Sequence, residues 1–179
     1  LEGDAASLYF AQFNELVLQR KDFFEFHNRV KRPPTDAVNA LLSFAYSILA
    51  NDCAAALEGV GLDAYVGFLH RDRPGRMSLA LDLMEEFRSV IADRCVLTLI
   101  NNRMLGKKDF MLQEDGAVLL NDAGRKIFLE AWQKRKQDVI MHPFLNEKLP
   151  IGLLPFVQAQ LLARCLRKDL DEYPGYLWK

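Results

Sequence analysis

What is scarce in this sequence already narrows its chemistry. Cysteine occurs 3 times in 179 residues, at Cys53, Cys95 and Cys165, each far from the others in an apolar helical stretch. Such an odd, dispersed set builds neither a disulfide framework nor a zinc centre, and it reads as buried thiols in a reducing compartment. Excess charge of one sign is missing as well. The formal net charge is −1, so no global basic field marks a nucleic-acid partner, and any DNA site must be a local patch. No signal peptide is visible, and no apolar run reaches membrane-spanning length. The longest candidate, residues 37–50, is interrupted by Asn39, Ser43 and Ser47. A cytoplasmic protein with no membrane partner is expected. Internal repeats and low-complexity segments are absent too.

What is present is apolar and helical. Half of the residues are hydrophobic, enough for a full core in one domain. Ala5, Ala6, Tyr9, Phe10, Phe13, Leu16 and Val17 recur at helical spacing, which predicts a helix over residues 2–20. Phe23, Phe24 and Phe26 lead to the breaker Arg32-Pro33-Pro34. Thr35 or Asp36 caps a second helix that runs to Leu57 and stops before Gly59, with Val38, Leu41, Leu42, Ala45, Ile48 and Leu49 as its buried stripe. The pattern after residue 78 continues to Leu105, as one helix or as two with a break near Ser89. Asp109 to Leu120 reads as a β-hairpin around Asp115-Gly116. Asp122 caps a helix ending in Lys134-Arg135-Lys136, and Pro155 opens a last helix to Leu170. The tail from Tyr173 is extended. The expected fold is mainly α, a multi-helix bundle with one small β-hairpin.

The stretch that organises the rest runs from Gly67 to Arg88. His70 ends an apolar run, an Arg/Gly/Pro turn follows, and a helix opens with Ser78 as its N-cap. On that helix Asp82 and Glu85 are i,i+3 neighbours, so both carboxylates reach one region of space. The turn is short enough to fold His70 towards them. One imidazole and two carboxylates suit Mg²⁺ or Mn²⁺ better than zinc, because hard cations take oxygen ligands. The plainer reading is a solvated acidic face and a half-buried histidine, since short motifs match by chance.

Gly67-Phe68-Leu69-His70, the basic turn, and Ser78-Leu79-x-x-Asp82-Leu83-x-Glu85-x-Phe87-Arg88 stand in the order of a known signature. The segment resembles the CRISPR adaptation integrases, the metal-dependent nuclease subunit that inserts new spacers into CRISPR arrays. Other blocks are similar to that family too. They are Glu2-Gly3-Asp4-Ala5-Ala6 with Tyr9-Phe10, Arg32-Pro33-Pro34-x-Asp36-x-Val38-Asn39, and Leu161-Leu162-Ala163-Arg164-x-Leu166-Arg167. The last block and the Tyr-Pro-x-x-Leu-Trp-Lys ending resemble the subtype I-C branch. Ser89 departs from the pattern, standing where a Pro often follows the Arg.

The resemblance implies a C-terminal α-helical catalytic domain over residues 1–179, without the family's N-terminal β-rich domain. A start inside a helix without an initiator Met fits a fragment. It implies Glu2, His70 and Glu85 as metal ligands, with Asp82 as a further or supporting carboxylate at the catalytic centre. It implies spacer precursor and CRISPR repeat DNA as substrates, and a homodimer working with a small ferredoxin-like partner. Arg71, Arg73, Arg76 and Arg88 surround the expected site, and arginine forks suit phosphate. Surface pairing with Asp72, Glu85 or Glu86 is their plainer role. Gln158, Arg164, Arg167 and Lys168 form a polar stripe that can line a DNA path. Lys107-Lys108 and Lys134-Arg135-Lys136 are weaker candidates, usually solvated helix ends. Asn39 either supports the site or caps its own helix, while His27 and His142 read as structural. The competing expectation is a non-catalytic helical fragment that folds and self-associates through an exposed Tyr9, Phe10 and Phe13.

Overall fold

The computed structural model describes residues 2–71 and 73–177, apart from the side chain of Glu2. It is mainly helical, as expected, with six α-helices and two short strand pairs among the described residues. The helices are α1 (Glu2–Leu16), α2 (Ala37–Gly59), α3 (Ser78–Glu85), α4 (Arg94–Asn101), α5 (Asp122–Lys136) and α6 (Leu154–Leu166). The chain divides into two compact units: residues 1–45 with 93–132, and residues 46–92 with 133–179.

In the first unit an aromatic cluster supplies the core. Phe13 and Phe26 have ring centroids 5.2 Å apart, and Phe44 meets Phe128 edge-on at 4.9 Å. Phe10 and Phe13 are buried, which corrects the expectation that α1 exposes them for self-association. Tyr9 is partly exposed, and its hydroxyl donates to the buried Asp93 at 2.6 Å. The α2 N-terminus forms because Asp36 Oδ1 accepts the Asn39 N–H at 2.8 Å, an N-cap bond to the third helical position. Asn39 is itself buried and bonded to Arg29, Val30, Asn28 and Asp36, so its role is to cap and brace.

The α2 run continues past Ala50 to Gly59, and at 23 residues the helix is long and apolar enough, by length and composition, to cross a membrane. That corrects the shorter run read from the sequence. Leu41, Leu42, Leu49, Cys53 and Leu57 are nevertheless buried inside the protein, and Asp52 pairs with Lys136 at 3.1 Å, as in a core helix. The helix ends in a Schellman turn at Gly61 (φ +80°), where Leu62 N–H meets the Leu57 carbonyl and Gly61 N–H that of Glu58.

The hairpin expected at 109–120 is present as β1 (Phe110–Leu112) paired with β2 (Val118–Leu120), turning at Gly116. The α5 cap is Asn121, whose side chain accepts the Gly124 N–H at 2.9 Å, and not Asp122 one position later. In the second unit an unexpected pair, β3 (Val139–Met141) with β4 (Lys148–Pro150), adds to the single hairpin foreseen. Pro143 and Pro150 disguise it as loop; Pro150 sits at the ladder's end, where a missing N–H costs little. α3 packs on α6 in this unit. α3 and α4 are separate helices joined by π-helical turns over Arg88–Asp93, so the break near Ser89 exists.

Candidate functional site

The site in the second unit begins with a carboxylate, Asp82, on α3. Its Oδ2 accepts the peptide N–H groups of Phe68 (2.6 Å) and Leu69 (2.9 Å), and its Oδ1 accepts that of His70 (3.0 Å). The same Oδ1 lies 2.6 Å from His70 Nδ1. Burial works against the ionised form of Asp82. The N–H of Leu69, the His70 ring and the N–H groups of Phe68 and His70 outweigh it, and the carboxyl sits below the usual carboxylate range.

The loop is fixed from its other side too. Gly67 lies so close to α3 that an added Cβ would stand 2.6 Å from Ser78 Cβ and 2.8 Å from the His70 carbonyl oxygen, so only glycine fits. Ser78 is buried as the first residue of α3 and makes no cap bond, correcting its expected role. The Ala64 carbonyl caps the helix instead, accepting the N–H groups of Leu79 and Ala80 at 2.9 and 3.2 Å.

Glu85 lies one turn after Asp82 on α3. Both of its oxygens accept from Arg88 Nη1 at 2.8 Å. The Arg88 guanidinium also stands 4.5 Å from the centre of the Tyr46 ring. Burial opposes its charge, but Tyr46 and Glu85 outweigh that and raise its pKa further. Arg88 is thus engaged with Glu85, the plainer role foreseen for it. Tyr46 was not foreseen, since it lies on α2, 42 positions earlier in the chain.

Arg71 and Arg73 are exposed and Arg76 is half-buried. None of the three forms an ion pair with another described residue. Arg164 is exposed on α6, and Arg167 pairs with Asp169 at 3.1 Å. Gln158 does not line a path for DNA. It is fully buried, and its amide nitrogen donates to Glu86 (2.9 Å), Tyr173 (2.8 Å) and the Pro174 carbonyl (3.1 Å). Glu86 also accepts from the Tyr173 hydroxyl and the Tyr176 N–H, both at 2.6 Å, and so fastens the C-terminal tail. Burial first, then the Glu86 charge, push the Tyr173 phenol well above its ordinary range. His142 is structural as read, buried with Nδ1 accepting the N–H groups of Phe144 and Leu145. Arg135 bonds to Asp138 and the Val90 carbonyl, and Lys136 to Asp52, so those basic residues are committed locally.

The described donors suit a hard divalent cation. A carboxylate at Nδ1 fixes the direction of the imidazole ring, as it does in metal-binding histidines. Glu85 adds carboxylate oxygens on the same helix face as Asp82. Among the described residues no three His, Cys, Asp or Glu side chains are grouped to hold a metal. Glu2, the remaining expected ligand, opens α1, and its side chain lies outside the described residues.

The family model for CRISPR associated protein Cas1 matches residues 1–134. A CRISPR-associated endonuclease Cas1 of Rhodospirillum rubrum is 58% identical over 178 residues, covering 99% of this chain and 52% of that protein. The Leptospira interrogans relative, also a CRISPR-associated endonuclease Cas1, is 49% identical, covering 99% of this chain and 70% of that protein. Among solved structures, a casposase bound to integration product superposes with a TM-score of 0.88 at 29% identity, covering 98% of this chain and 50% of that one. A Cas1 protein from Thermotoga maritima gives 0.82 at 29% identity, covering 93% and 50%. The chain belongs to the Cas1 family. It spans about half the length of the first relatives it matches.

Proposed function

We propose that the chain carries the phosphoryl-transfer site of a divalent-metal-dependent DNA endonuclease and integrase of CRISPR adaptation. The reaction joins 3′-hydroxyl ends of spacer DNA to the CRISPR repeat by transesterification. The observation that carries this reading is the His70 loop, whose imidazole is oriented by Asp82 on the helix that also bears Glu85. Family membership and the likeness to a casposase bound to integration product support it.

His70 through Nε2, Glu85 and Glu2 would hold Mg²⁺ or Mn²⁺. When bound, the ion supplies positive charge at a phosphoryl oxygen and at the developing alkoxide. The chain's own residues do the positioning. Asp82 keeps the imidazole in one orientation. Arg88 holds the Glu85 carboxylate on its helix face. Arg71, Arg73 and Arg76 offer guanidinium forks to phosphates beside the loop, with Arg164 and Arg167 as further contacts on α6. With water replacing the 3′-hydroxyl, the same arrangement cleaves DNA. The whole protein, on this reading, works as a homodimer with a small ferredoxin-like partner. A structural neighbour described as a Cas6-RT-Cas1–Cas2 complex supports the part of this reading that pairs the protein with another Cas protein.

Glu85→Ala in the full chain tests the proposal. Cleavage and strand joining are expected to vanish, while stability changes by no more than about 1 kcal/mol, because a part-exposed ion pair contributes little. Undiminished cleavage by a folded Glu85→Ala protein contradicts it.

A further inference from the structure

Glu85 is the last residue of α3, and the helix alone does little to hold it there. At 8 residues α3 is too short to be stable by itself, so its shape depends on packing. Beyond Glu85 the α-helical ladder lapses. The N–H groups of Glu86 and Phe87 turn to carbonyls three residues back, those of Leu83 and Met84, at 3.3 and 2.9 Å. π-helical turns follow from Arg88. A junction of this kind has poorer hydrogen bonds of its own and needs support from outside.

The C-terminal tail gives that support. Glu86 Oε1 accepts the Tyr173 hydroxyl, and Oε2 accepts the Tyr176 N–H and the Gln158 amide. The buried Tyr176 ring stands 5.8 Å from that of Phe87. Among the described residues no cation pairs with Glu86, so its charge rests on these three donors. Apolar contact alone would cover the tail at less desolvation cost. Hydrogen bonds to a carboxylate add strength and direction, and here they fix the chain at the residue next to Glu85.

We propose that Glu86 is a positioning residue, through which the tail over residues 173–176 sets the placement of Glu85 for a divalent cation. The inference rests on the metal reading above and adds a distant segment to that site. Tail docking and cation binding are then linked, and each favours the other by the same factor.

Two measurements on the full chain test it. Calorimetric titration with Mn²⁺, well below the melting temperature, should show affinity reduced about threefold or more in Tyr173→Phe and in Glu86→Gln. Phe128→Leu, a core substitution in the first unit, lowers stability at another place and should bind as wild type does. Hydrogen exchange of the 173–177 segment should slow when Mn²⁺ is added to the wild-type protein, and should not in Glu85→Ala. Wild-type affinity in both folded tail variants overturns the inference and leaves the metal reading standing. So does exchange that Mn²⁺ leaves unchanged, or slowing that persists in Glu85→Ala. Equal weakening in Phe128→Leu overturns it too, since loosening anywhere would then suffice. A wild-type protein that binds no Mn²⁺ overturns the metal reading, and the inference with it.

Discussion

His70 Nδ1 lies 2.6 Å from Asp82 Oδ1, while the peptide N–H groups of Phe68, Leu69 and His70 converge on the same carboxylate. One side chain therefore fixes both the backbone that carries the imidazole and the direction in which the imidazole points. Asp82 is a positioning residue, and its charge is consumed by four donors that all belong to the loop.

Asp82→Asn tests that division of labour. The amide keeps one acceptor oxygen but sets its NH₂ against peptide donors, so several bonds are lost together. A loss of about 2 kcal/mol in unfolding free energy is expected, in the range for hydrogen bonds to a charged group. Cleavage should fall as well, because the ring loses its orientation. Denaturant unfolding beside cleavage assays reads both; a variant as stable as wild type would show that the loop does not depend on this carboxylate.

The arginines make a different prediction. Replacing Arg73 and Arg76 together with Ala should weaken duplex binding and flatten its salt dependence, because fewer counterions are released on binding. Stability should hardly move, since neither side chain pairs with a described residue. An unchanged salt slope means that these arginines do not touch phosphate.

Much of the site is legible in the sequence because it is local. His70 and Asp82 fall within one loop and the helix that follows it, and they meet as the spacing suggests, while Glu85, one turn further on, pairs with Arg88. Caps are less legible. Ser78 and Asp122 have the right chemistry, but the bonds go to the Ala64 carbonyl and to Asn121, choices made by packing and by a shift of one residue. The role of Gln158 is not legible in the sequence because its partners Glu86, Tyr173 and Pro174 are distant in sequence on one side or beyond the helix end on the other. A polar residue on an amphipathic helix does not announce that a carboxylate and a tail will enclose it. The β3–β4 pair stayed hidden for a simpler reason: prolines at 143 and 150 mimic a loop.

The tail supplies a prediction about pH. Burial and Glu86 raise the Tyr173 phenol in the folded protein, so on raising the pH the unfolded chain ionises first. The contribution of this group is complete below about pH 10, the ordinary tyrosine value, and is lost progressively above it. Wild-type stability should therefore decline in alkaline solution more steeply than that of Tyr173→Phe. The variant should also be less stable at neutral pH by about 1.5–3 kcal/mol, the worth of a bond to a carboxylate. Chemical denaturation across the alkaline range measures both, and parallel pH profiles for the two proteins would refute the assignment.

The central claim is that His70 and Glu85 hold a divalent cation at a DNA phosphoryl-transfer site. Calorimetric titration of Mn²⁺ into the full chain tests it most directly, comparing wild type with His70→Ala and Glu85→Ala. Each substitution is expected to weaken binding by at least about tenfold, the scale on which even supporting residues matter to metal affinity. Mn²⁺ binding of wild-type strength in both folded variants would contradict the account.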